Sequence, residues 1–153
     1  MTALPAEPRR RLAVVACMDA RMDVYRILGL EPGDAHVIRN AGGVVTDDVI
    51  RSLTISQRKL GTQEIVLIHH TDCGMLTFSN RDLRDKVRED LGQDTGEFDF
   101  LPFQDLDESV REDIEFLGAT QLLDPETVIR GFVYDVRTGR LREVKVESEA
   151  RAG

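Results

Sequence analysis

Glu64-Ile65-Val66-Leu67-Ile68-His69, followed at once by His70-Thr71-Asp72-Cys73, is the stretch that decides the fold. Four consecutive aliphatic residues suit a strand buried on both faces, as in a parallel sheet covered by helices. The pattern predicts a strand over Glu64 to His69 that delivers His70 and Cys73 just beyond its end. Upstream, Leu12 to Ala16 has the same character and delivers Cys17. Two strand ends therefore each carry groups able to bind a metal.

Between these strands, Met22, Tyr25, Ile27, Leu28 and Leu30 suggest a short helix. Pro32-Gly33-Asp34 reads as a turn, and Ala35 to Arg39 as a strand that ends in the loop Asn40-Ala41-Gly42-Gly43. Thr46 is a good N-cap, Asp47 and Asp48 suit the positive end of a helix dipole, and Val49, Ile50, Leu53 and Leu60 form a stripe closed by Gly61. Further on, Asn80 to Leu91 and Leu106 to Leu117 look helical, joined by an excursion over Gly92 to Gln104. Val128 to Val136 suits a strand, and Thr138-Gly139 suggests a hairpin into a fifth strand over Leu141 to Val146, with Glu147 to Gly153 frayed. The expected fold is α/β: a mainly parallel β-sheet flanked by helices, with a C-terminal β-hairpin or added edge strand, in a single domain over residues 1–153. Such sheets bind ligands beyond the carboxyl ends of their strands, where the strand order reverses. If the first and third strands are neighbours there, Cys17, His70 and Cys73 converge.

Composition narrows the function classes. A hydrophobic fraction of 41% and a charged fraction of 31% are those of a water-soluble globule. A net charge of −8 disfavours contact with nucleic-acid phosphates. Arg9-Arg10-Arg11 before Leu12 to Cys17 is no signal peptide, because the apolar part is too short and Asp19 and Arg21 follow. Nothing approaches a membrane span, so a cytoplasmic protein without membrane partners is expected. In that reducing compartment the two cysteines suit metal binding or catalysis better than a disulfide. Neither a GxxxxGKS/T loop nor a GxGxxG turn is present, which argues against nucleotide chemistry.

Zinc favours thiolate and imidazole in a tetrahedron, and a catalytic site leaves the fourth position to water. Cys17, His70 and Cys73 supply that set, one Zn²⁺ per chain. Asp19 and Arg21, beside the first ligand, can form a bidentate pair that holds the carboxylate in one orientation. Asp19 could then orient a metal-bound hydroxide toward an electrophile. Singly, each feature has a plain explanation: a buried thiol, a polar loop histidine, a surface ion pair, a tight turn at Asn40 to Gly43. Together they form a catalytic constellation. His36 and His69 are left over as strand or loop residues, and Phe98, Phe100 and Phe103 as packing.

Cys17-x-Asp19-x-Arg21, then Arg39-Asn40-Ala41-Gly42, then His70-x-x-Cys73-Gly74 resemble the β-class carbonic anhydrases in order and separation. The resemblance implies a zinc-dependent carbonate dehydratase, a lyase that interconverts carbon dioxide and bicarbonate and assembles as a homodimer or dimer of dimers. It implies Cys17, His70 and Cys73 as zinc ligands and Asp19 with Arg21 as the catalytic dyad, Asp19 swinging onto the zinc in some members. Three departures stand out: His69 in place of a common glycine, no tryptophan for a bicarbonate effector pocket, and little chain before the first strand to form a helical arm. Two alternatives remain open. One is a carbonyl sulfide or carbon disulfide hydrolase with the same machinery, and the other a non-catalytic zinc-containing binding or sensing module.

Overall fold

The structure of the chain, a computed structural model, describes residues 4–146. The expected fraying of Glu147 to Gly153 lies outside them. Five strands, β1 (Leu12–Cys17), β2 (Ala35–Asn40), β3 (Glu64–His70), β4 (Val128–Tyr134) and β5 (Leu141–Val144), form one sheet in the order β2-β1-β3-β4-β5. The first four are parallel and β5 turns back antiparallel on β4. The chain first builds outward from β1 to β2, then crosses back to place β3 on the other side of β1. The strand order reverses between β1 and β3, so their carboxyl ends flank a crevice. The mainly parallel sheet with a C-terminal hairpin is the architecture the apolar runs predicted.

Helices cover both faces. On one side α2 (Asp47–Leu60) and α4 (Leu106–Ala119) bury Val49, Ile50, Leu53, Val110, Ile114 and Leu117 against Val15, Leu67 and Ile129. On the other, α1 (Val24–Leu28) and the turn after Cys73 close over Val14, Ala16, Val66 and Ile68. Thr46 caps α2 by accepting from the Val49 N–H at 3.3 Å, and Gly61 ends it in the left-handed conformation at φ 75°. A remaining helix, α3 (Asn80–Leu91), opens on a capping box between Ser79 and Asp82 and buries no side chain fully. Its four acidic and four basic residues face solvent or the helix rim.

Boundaries differ in small ways. β3 runs one residue further than predicted and includes His70, because that residue still pairs with Tyr134 across the ladder. β4 stops at Tyr134, where Asp135 accepts from the backbone N–H groups of Arg137 and Thr138 to shape the hairpin turn. The excursion after α3 is irregular but anchored: Arg84 donates twice to the Phe98 carbonyl, and Asn80 accepts from the Phe100 N–H.

Candidate metal centre

Cys17 is the last residue of β1, and His70 the last of β3. Parallel pairing of the two strands brings these ends together. Thr71 and Asp72 then curl the chain so that Cys73 returns to the same spot, Asp72 adopting a left-handed φ of 55° to make the bend. One ligand atom from each of Cys17, His70 and Cys73 lies within 4.8 Å of the others, and all three residues are buried.

The donors suit a metal ion. His70 Nδ1 faces the Thr71 carbonyl at 2.7 Å, which places its proton on Nδ1 and leaves the Nε2 lone pair free. That Nε2, shielded from water, has no hydrogen-bond partner among the described residues. An orphaned buried acceptor is costly unless something binds it, and a cation does. The Cys17 thiol is pushed down to about 4, chiefly because Cys73 beside it donates to the thiolate, with the nearby Asp19 and Gly42 backbone adding to the effect. The same hydrogen bond pushes the Cys73 thiol up, since losing that proton would break it; burial adds to the shift, and a second thiolate would also repel the first. A divalent cation removes that conflict by charge compensation.

Asp19 and Arg21 stand at the rim. Asp19 Oδ1 accepts from the Arg21 N–H at 2.8 Å and from Nε at 3.0 Å, and Oδ2 accepts from Nη2 at 2.7 Å. These charge-assisted bonds hold the Asp19 carboxyl well below the usual carboxylate range. Oδ2 lies 3.7 Å from His70 Nε2, so the free side of this carboxylate faces the three ligand atoms.

Two supporting residues were in view in the sequence without an assigned role. Asp72 accepts from Arg21 Nη1 at 2.9 Å through its carboxylate and from Nη2 at 3.0 Å through its carbonyl, tying the ligand loop to the dyad. Arg39 donates to the carbonyls of Cys17 at 2.9 Å and Asp19 at 2.8 Å, fixing the path between ligand and carboxylate. Position between two ligands is the signal that could have singled out Asp72. Gly43 has a steric reason: a Cβ there would lie 2.8 Å from the Cys17 nitrogen. His36, by contrast, bonds Ser56 at 2.7 Å, away from the centre.

A family model described as carbonic anhydrase matches residues 12–99. β-Carbonic anhydrase 1 of Mycobacterium tuberculosis is 54% identical over 142 residues, covering 92% of this chain and 86% of that protein. The chain belongs to the β-carbonic anhydrases. A crystal structure of a carbonic anhydrase from Streptococcus mutans superposes with a TM-score of 0.93 at 54% identity, covering 95% of this chain and 87% of that one. A carbon disulfide hydrolase of Acidithiobacillus thiooxidans is more distant, 38% identical over 153 residues, with 87% of this chain and 76% of that protein covered. The β-carbonic anhydrase match by sequence takes in every residue of the centre. Among the described residues no helix is long and apolar enough to cross a membrane.

Proposed function

We propose that this chain catalyses the reversible hydration of carbon dioxide to bicarbonate and a proton, with one Zn²⁺ held by Cys17, His70 and Cys73. The observation that carries the reading is the orphaned His70 Nε2 between two thiols, faced by the Asp19 carboxylate. Zinc supplies Lewis acidity, bringing the pKa of a water from 15.7 to roughly 7.

The protein's own groups supply orientation. An ionised carboxylate offers about four acceptor positions. Arg21 takes two on Oδ1 and one on Oδ2, leaving the last on Oδ2, the oxygen beside the ligands. Asp19 accepts one hydrogen bond there from the nucleophilic oxygen, fixing its rotation so that a lone pair points at the carbon of carbon dioxide. Because Arg21 keeps Asp19 ionised near neutral pH, Asp19 acts as an acceptor and not as a proton donor. Arg21, held by Asp72 as well, keeps the carboxylate from rotating.

The protein works in the cytoplasm, where its thiols stay reduced, as a homodimer or dimer of dimers; the sheet and its helices act as one domain. Stopped-flow carbon dioxide hydration on protein of known zinc content tests the activity. Turnover that disappears on chelation and returns with zinc is expected. Full zinc occupancy with no hydration, but release of hydrogen sulfide from carbon disulfide, would replace this reading with the hydrolase.

A further inference from the structure

Phe103 lies far from the metal-ligand motifs in sequence, yet it touches the supports of both thiols. The Ala41–Gly43 turn packs on the backbone of Cys17, where a Cβ on Gly43 would lie 2.8 Å from the Cys17 nitrogen, and the Gly74–Leu76 turn follows Cys73 directly, the Leu76 N–H donating to the Cys73 carbonyl at 3.0 Å. Both are short 3-10 turns, weak elements by themselves. Phe103 covers both. A Cβ on Gly42 would come within 3.2 Å of Phe103 Cε1 and 2.9 Å of Met75 Cγ, so ring, turn and Met75 side chain are in close contact. The Phe103 N–H also donates to the Met75 carbonyl at 3.2 Å.

Behind the ring stands His69. Its imidazole stacks on Phe103 with centroids 5.5 Å apart and planes 22° from parallel. His69 is fully buried and pinned at both nitrogens, Nδ1 to Ser109 Oγ at 2.8 Å and Nε2 to an Asp113 carboxylate oxygen at 3.2 Å. Ser109 in turn donates to the Leu106 carbonyl at 2.6 Å, so α4 holds the imidazole. Phe103 is thus in contact both with a fixed imidazole plate and with the two turns beside the thiols.

We propose that Phe103, backed by His69, is a positioning residue that holds the Ala41–Gly43 and Gly74–Leu76 turns against Cys17 and Cys73, and so sets how tightly the centre holds its metal. This rests on the assignment of Cys17, His70 and Cys73 as the ligands. Loss of the groups that orient metal ligands commonly lowers metal affinity by about 10- to 100-fold.

The test is competition for Zn²⁺ with a chromophoric chelator, with the thiolate-to-metal charge-transfer absorption of the Co²⁺-loaded protein as a second readout. Phe103→Ala should lose metal affinity by about tenfold and shift the charge-transfer band, because the two turns no longer hold the cysteines in place. Phe103→Tyr keeps the stacked ring and should restore both. Phe98→Ala, in the same irregular segment but with an exposed side chain, should change neither. Should Phe103→Ala fold poorly, Phe103→Leu, which fills the space without a flat ring, serves in its place. A folded Phe103→Ala or Phe103→Leu with wild-type affinity and an unchanged band overturns the proposal. Failure of the wild-type chain to take up either ion would instead overturn the ligand assignment.

Discussion

Oδ2 of Asp19 has one acceptor position that Arg21 does not occupy, and on that position the proposed orienting role depends. Asp19→Asn keeps the size but replaces a charge with an amide that turns N–H groups against Arg21. Hydration turnover should fall by about 10- to 100-fold while one zinc per chain is retained, checked by stopped flow and metal analysis together. Gly43→Ala acts differently. Its Cβ would press on the Cys17 nitrogen and the Ala16 carbonyl carbon from a backbone φ of 67°, so the variant should lose about 2 kcal/mol or more of stability and bind metal poorly. Chemical denaturation of the zinc-free protein isolates the first effect. The cluster of Cys17, His70 and Cys73 was legible in the sequence because each lies at or just beyond the end of an apolar run. Asp72 was not assigned a role, since its contact with Arg21 depends on a left-handed bend that residue types do not announce.

Among the elements, β4 carries the tightest contact with a helix. Gly131 faces α4 closely enough that an added Cβ would strike Val110 Cγ1 and sit 2.7 Å from Ile114 Cδ1. Gly131→Ala should therefore destabilise the fold by about 1–3 kcal/mol through overpacking, measured as a lower denaturation midpoint at constant slope. At the other end of the scale, Thr46→Ala removes one cap from α2 and should cost about 1 kcal/mol. The strands and long helices could be read from sequence because apolar runs and capped stripes are local signals. Their last residues could not, since His70 joins β3 only through Tyr134 on a strand far along the chain. The path after α3 was hidden for the same reason: its anchors are side-chain contacts from Asn80 and Arg84 to backbone that has no periodicity of its own.

For the molecule as a whole, acidity is offset locally. Arg9 and Arg10 flank Asp34, Arg142 chelates Asp107, and Arg130 and Lys145 hold Glu143. The Asp34 carboxyl is held down chiefly by the Glu31 N–H, that of Asp107 by the Arg142 guanidinium, and that of Glu143 by Arg130. Groups held down in the folded state contribute stability that is complete above their unfolded values of about 4 and is lost as pH falls through the lower folded values. The contribution of these carboxylates should thus be level from about pH 7 to 5, and its loss should lower the denaturation midpoint below about pH 4. The parallel sheet was foreseen from its apolar runs; of the strand order, only the adjacency of β1 and β3 was raised, as the condition for Cys17 and His70 to converge, and the sheet meets it.

The alternation of His69 and His70 along β3 ties strand alignment to the proposed metal site. Sliding β3 by one position would turn His70 toward α4 and offer the centre a different side chain. With the proposed ligands, metal uptake would act as a proofreader of strand alignment: a chain that has mispaired β1 and β3 could not close around the ion.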